Sequence, residues 1–497
     1  MKKFILIFIL LSLLIGGGLY IYFSRQKSPE NDSDQMFIEK AEEYLEEMQY
    51  SYALEQYKSA INADPTNTDT YIAAAKIYIL KSNDNEALTL LQNGESVVVE
   101  PDKVFHMMGQ IFFNNGELQK AITTYEKAYK KNKKNYENAI DLALAYTTNP
   151  EKIDEAKSIL SKIDSTQGEL YAKKHYYLAL LSYEDIDSVI ENIEKADSEA
   201  DEELKGILAS FLDTAKKVKK DAKNAVQNNT LIAFELLRAK MYNLAIPLLD
   251  TAISQNDEYY AAYMYRGICH MNTGDIDKAQ EDLEKAVTID PIEVEPWLFL
   301  AQVYTLQNNQ KDAVESFEEA LTIDSKNEQG RYDLALTLIH FGQYRQARLE
   351  YKKLLEMEST QDLTYRIELA YIDLDQLDEL TEGLETAKQA LEHYEQQLTT
   401  DKESLAEVED LLGWAHLING QNDAALSTLE KAINTYPYLA STYFHLGMLY
   451  KEVDSRADAQ THFERAIDLD TEGDISIKAK NELDKLQDRD TEHEDKS

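Results

Sequence analysis

Nine histidines, one cysteine and 91 aspartates and glutamates are the groups in this chain that could do chemistry. Catalysis and metal binding need them at set spacings. A zinc knuckle takes several thiolates, and Cys269 stands alone, where a small buried thiol is expected; it also has no partner for an intramolecular disulfide. The histidines are scattered. His445 and His462 fall on different helices of one unit and are the single pair that a metal could bridge. The stretch Asp470-Thr471-Glu472-Gly473-Asp474 has the acidity of a calcium loop, but not the glycine at the sixth place and glutamate at the twelfth. No phosphate-binding Gly-rich loop ending in Lys-Ser/Thr, no Gly-x-Ser-x-Gly elbow and no His-Glu-x-x-His helix is present in the sequence. Among so many carboxylates no pair marks a general acid and base. The chain therefore reads as non-catalytic and free of cofactors, with an enzyme of unrecognised chemistry as an alternative.

The elements that hold these residues repeat. Tyr44, Tyr78, Phe112 and Tyr146 are 34 positions apart, and Ala53, Ala87 and Ala121 keep the same step. Further along, Gly267, Ala301 and Ala335 return in that register, as do Ala279, Ala313 and Ala347. Gly413 and Gly447, with Ala425 and Ala459, show it a third time. A period of 34 with apolar residues at three- and four-residue steps predicts stacked helical hairpins. Small residues mark where helix axes approach closest, as at Gly109 and Ala121. Gly116, Gly274, Gly342 and Gly420 mark the turns between helices, where positive φ costs glycine nothing.

These positions resemble the tetratricopeptide repeat. The unit from Tyr260 fits best, with Tyr263, Arg266, Gly267, His270, Ala279, Leu283, Ala286 and Pro291. The next unit has Trp297, Leu300, Ala301, Tyr304, Ala313, Phe317 and Ala320, but Ser325 replaces the proline and leaves its second helix free to run on or fray. Clear units begin near 34, 68, 102, 136, 226, 260, 294, 328, 406 and 440. The resemblance implies an all-α, right-handed superhelical solenoid of about 12 hairpins that binds proteins or peptides in its concave groove. In such a fold the first helix of each unit lines the groove through its second, fifth, ninth and twelfth residues. The partner-binding candidates are thus Met264, Ile268, Met271, Leu298, Tyr332, Leu336, Ile339 and Trp414, expected as a largely apolar strip with an acidic rim. Burial of the same side chains between neighbouring first helices is the competing expectation.

Charge narrows the partners. The formal net charge is −40, which would repel nucleic acid and favours neutral or basic polypeptides. The seam carries a basic spot, Lys216, Lys217, Lys219, Lys220 and Lys223, at the end of a long helix expected from Glu202 to Val226.

The first residues differ from the rest. Phe4 to Phe23 is apolar apart from Ser12 and the run Gly16-Gly17-Gly18, and Lys2, Lys3, Arg25 and Lys27 flank it. About 20 such residues cross a bilayer as a helix. An uncleaved single-pass anchor is expected, with the N-terminus cytoplasmic and the repeats outside. A cleaved signal and a secreted, soluble repeat protein form the alternative. The expected organisation is an anchor with flanks at 1–27 (helix 4–23), a polar tether at 28–33 and an N-terminal repeat block at 34–200. A long helix and seam at 201–228, a C-terminal block at 229–473 and a capping helix with charged tail at 474–497 complete it.

Overall fold

The computed structural model describes residues 32–494, apart from 166, 358, 398–400 and 471–472. The anchor and the start of the tether lie outside the described residues. Among those described the chain is helical, without a strand, and no helix is long and apolar enough to cross a membrane.

Twenty-six α-helices follow one another. Five hairpins come first: α1 (Asp32–Glu46) with α2 (Tyr50–Ala63), α3 (Thr68–Leu80) with α4 (Asp84–Gly94), α5 (Pro101–Asn114) with α6 (Leu118–Lys131), α7 (Tyr136–Tyr146) with α8 (Ile153–Ser161), and α9 (Gly168–Leu181) with α10 (Ile186–Asp197). A single helix, α11 (Glu202–Lys220), stands next. Seven more hairpins follow: α12 (Ala225–Arg238) with α13 (Tyr242–Gln255), α14 (Tyr260–Thr273) with α15 (Ile276–Ile289), α16 (Val294–Leu306) with α17 (Gln310–Ile323), α18 (Glu328–His340) with α19 (Tyr344–Leu355), α20 (Asp362–Tyr371) with α21 (Leu380–Gln396), α22 (Lys402–Ile418) with α23 (Asn422–Thr435), and α24 (Ala440–Glu452) with α25 (Arg456–Leu469). The last helix, α26 (Asp474–Glu494), packs on α25.

Nine of the twelve hairpins are closed by the same device. A residue in the left-handed region ends the first helix, and the next N–H reaches the carbonyl five residues back, as from Asp275 to His270 (2.9 Å) and Gln343 to Leu338 (2.7 Å). Glycine holds this place at Gly116, Gly274, Gly342 and Gly420. Met48, Ser82, Lys240, Asn308 and Asp454 hold it elsewhere, all at positive φ. The turn is therefore set by the hairpin, and glycine merely eases it. Close crossings explain the small residues: a Cβ on Gly109 would stand 2.5 Å from the Tyr125 ring, and one on Gly447 2.5 Å from that of Phe463.

Second helices end without needing proline. Proline follows α2, α15 and α23, but α17 stops at Ile323, in register, although Ser325 stands in proline's place. The expectation of a run-on helix is corrected by a side chain. Asp324 takes an extended conformation and its Oδ1 accepts the N–H of Lys326 (3.0 Å), forming an Asx turn. Asn132 and Asn256 do the same after α6 and α13. A second difference lies at α11, which stops at Lys220 rather than near Val226. Asn224 accepts the N–H of Gln227 and so caps a new helix, α12.

The core is a chain of clusters between neighbours. Met264, Ile268, Leu283 and Leu300 form one, and Phe317, Leu334, Tyr351 and Leu369 another. Around the break in register the packets merge into a continuous core from Ala121 to Cys269, including Leu208 and Phe211 of α11. Arg266 ties neighbours together through a bidentate pair with Asp282 and a 2.6 Å bond to Asp250. Finally, the two ends meet: α25 packs on α2, and Asp468 accepts hydrogen bonds from the backbone and hydroxyl of Ser51 (2.8 and 2.6 Å).

Candidate functional site

Successive first helices pack on one another, as α3 on α5, α12 on α14 and α22 on α24, while no two successive second helices meet as closely among the described residues. A stack whose first helices crowd together curves toward them. Their outward positions make the inner, concave face.

The expected groove residues divide on this face. Met264 and Ile268 are buried, each 7% exposed, against Leu283, Val287 and Leu300. Met271 is half-buried against the same cluster. Leu298, Tyr332 and Ile339 are half-buried on the next cluster, and Leu298 fills the space above Gly330. Leu336 is 40% exposed. Trp414 is buried, with its indole N–H donated to Asp375 (2.8 Å) and its ring stacked on His445 at 4.4 Å. The fifth and ninth positions of a first helix serve packing wherever the following hairpin leans on them.

Beside these residues runs a band of carboxylates and aromatics on α18, α20, α22 and α24. Asp333 accepts from Gln329 (2.8 Å) and Gln302 (3.4 Å), yet burial lifts its carboxyl above the usual range. Glu368 is lifted by burial alone. Tyr371 lies among Asp410, Asp375, Glu407 and Glu368; burial first, and those four charges after it, hold its hydroxyl well above the ordinary value. Glu407 is open to solvent but set in the concavity. Burial, then Glu403, Asp401 and Asp410, push it up to about 7. A short π-helical stretch, Ile372–Gln376, continues α20 and presents Asp375 to Trp414, while Asp373 is buried against Arg348 (2.6 Å). The period of 34 hides this band, since acids occur throughout the chain. The signal was Glu407, Asp410 and Trp414 at the second, fifth and ninth places of one unit.

Asp410 accepts from Ser441 Oγ (2.6 Å) and pairs with His445 Nδ1 (2.8 Å), so Ser441 gives its proton to the carboxylate and not to the imidazole. The Cys269 thiol is buried and pushed up to about 12, far from a reactive thiolate. His462 stacks on Tyr450 at 5.1 Å while His445 stacks on Trp414, each ring having its own aromatic neighbour. Among the described residues no group of three His, Cys, Asp or Glu could hold a metal ion. A second face, between α6 and α8, is a shallow groove of about 330 Å³ that includes Tyr129, Tyr146, Lys130, Lys133 and Lys162.

Family models described as tetratricopeptide repeat match residues 260–292 and, separately, 102–135, 294–327 and 440–472. The type IV pilus assembly protein PilF of Pseudomonas aeruginosa is 34% identical over 113 residues, covering 22% of this chain and 41% of PilF. The chain thus spans about two fifths of that relative's length. A solved structure of Pseudomonas aeruginosa PilF is 18% identical, covering 46% of this chain and 98% of its own, with a TM-score of 0.33. Yeast Tom70 is 13% identical over 92% of this chain and 96% of its own, TM-score 0.36. The C-terminal part of a repeat protein from Cytophaga hutchinsonii is 16% identical over 53% and 99%, TM-score 0.41. The chain is thus all-helical among the described residues and carries tetratricopeptide repeats at residues 102–135, 260–292, 294–327 and 440–472.

Proposed function

We propose that the chain is a non-catalytic scaffold, tethered to a membrane through residues 4–23, whose inner face grips a neutral or basic segment of a partner protein. The observation behind this reading is the band from Asp333 through Glu368 and Tyr371 to Glu407 and Asp410. It places half-desolvated carboxylates among aromatic rings, with Leu336 exposed beside them. Carboxylates whose charged form is disfavoured by burial gain most from an arriving ammonium or guanidinium, and aromatic faces add cation–π attraction. Tyr332 and the half-buried Leu298, Ile339 and Met271 would flank the partner's apolar residues. The acidity of the whole chain steers basic partners and excludes nucleic acid. The tether rests on the apolar run and its lysines, whose slight excess favours the N-terminus inside and the repeats outside.

A photo-crosslinking residue at Leu336 tests the face. It is expected to capture a protein from native membranes, while the same residue at Leu349, more open still on a second helix, captures none. Equal capture from both positions would contradict a groove. Resistance to carbonate extraction tests the tether, and a mature N-terminus at Leu19 would contradict it.

A further inference from the structure

Asp468 lies in the last turn of α25, where a negative charge faces the negative end of its own helix. Its partners explain it, and they come from the other end of the chain. The α2 helix starts after Gln49, whose side chain makes no capping bond, leaving first-turn N–H groups without a partner from their own helix. Asp468 Oδ1 supplies the cap by accepting from Ser51 N and Oγ, and Lys81 at the end of α3 lies 3.3 Å from the same oxygen. Opposite charge meets the opposite pole alongside: Arg465 donates to the carbonyls of Glu47 (2.9 Å) and Met48 (3.3 Å), just past the end of α1. An acid on the positive end of α2 and a base on the negative end of α1 form a two-pole dock. Both poles are read across more than 400 residues of sequence.

We infer that this dock is a latch: Asp468 joins the last hairpin to the first, closes the solenoid over its inner face, and must release for a partner segment to enter. The inference rests on the inner-face reading for what enters, though not for the closure itself. Asp468 is 8% exposed, so the cap is partly shielded although Ser51 stays open to water. Losing it removes from closure the two bonds from Ser51 and the Lys81 pair, and within α25 breaks only a 3.6 Å pair with Arg465. Charged bonds of this kind shift a closed-to-open ratio by about tenfold or more.

The full chain is labelled with a donor and acceptor dye at Glu55→Cys and Glu464→Cys, exposed positions on α2 and α25. Native Cys269 is buried. High transfer is expected in the otherwise native chain and a marked fall in Asp468→Ala, with Asp468→Asn between them and helical content unchanged. A second chain carrying Leu336→Cys alone is treated with a bulky polymer-linked maleimide. Its reaction is expected to run several-fold faster when Asp468→Ala is added. Equal transfer in the native and Asp468→Ala chains would overturn the latch. So would transfer seen only between singly labelled copies, which would make the dock a contact between molecules. Lowered transfer with an unchanged maleimide rate would overturn the gating. Neither readout uses a partner, so failure of the groove to bind peptide leaves the latch result standing.

Discussion

The hairpins from 260 to 355 and the stretch from 136 to 238 are built from the same kinds of residue, yet they store their stability differently. In the first, each first helix has 13 or 14 residues, the step of 34 is kept, and the core is divided into packets shared by neighbours. In the second, α7 and α8 are short, α11 has no partner helix of its own, and the packets fuse from Ala121 to Cys269. Regular register makes stability a sum of nearest-neighbour terms; lost register makes it collective. Substitutions in the two regions should therefore differ in reach as well as size.

The largest effect is expected from Phe211→Ala in α11. It opens a cavity under a side chain that is 1% exposed, and should cost about 3–5 kcal/mol in denaturant unfolding. Hydrogen exchange should rise together over 121–269. A change confined to α11 would break the claim of a fused core. Ile268→Glu comes next, losing an apolar burial worth about 1.5–3 kcal/mol and adding a charge to the packet of Leu283 and Leu300. Leu336→Glu, on the open side of the same face, should stay within about 0.5 kcal/mol. Equal destabilisation by both would erase the distinction between packed and open positions.

Ala313→Trp overfills a close crossing and should cost about 1–3 kcal/mol or more. Here protection should fall in α16 to α19 and persist in residues 34–135. Smaller still is a pH effect at Glu407. Its folded value of about 7 lies above its ordinary 4.5, so between those values the folded chain keeps a proton that the unfolded chain has lost. Stability should fall as pH rises from about 4.5 to 7, and Glu407→Gln should flatten that fall in thermal unfolding. The smallest is Lys240→Gly. A left-handed lysine costs about 1–2 kcal/mol, partly offset by the entropy glycine loses, so a gain of about 0.5–1 kcal/mol is expected, matching the turn at Gly274.

Much of the fold could be read from spacing. First helices were expected near 68, 136, 260, 294, 328 and 440, and begin at those residues, because each unit repeats one packing problem. Helix ends were less legible. Proline was an obvious terminator, but Asp324 ends α17 with its side chain, and such residues are common in an acidic chain. The site was only partly legible. Period identifies which positions face inward, but whether Met264 or Leu336 stays open depends on how far the next hairpin leans. The meeting of Asp468 with Ser51 could not be read at all, since it results from small rotations accumulated over every intervening hairpin.

The central claim is that the band on α18 to α24 takes up a basic segment on its half-desolvated carboxylates. Calorimetric titration of a lysine- and arginine-rich decapeptide, in two pH 6.5 buffers of different ionisation enthalpy, measures affinity and proton release together. Binding to the native chain should release protons, because the incoming cation favours the charged form of Glu407 and its proton passes to the buffer. The double variant Glu368→Gln with Glu407→Gln should bind about tenfold more weakly, about 1.4 kcal/mol, and release fewer protons. Binding of equal strength with no difference in proton release would show that the peptide senses only the acidity of the chain as a whole, and would contradict the site.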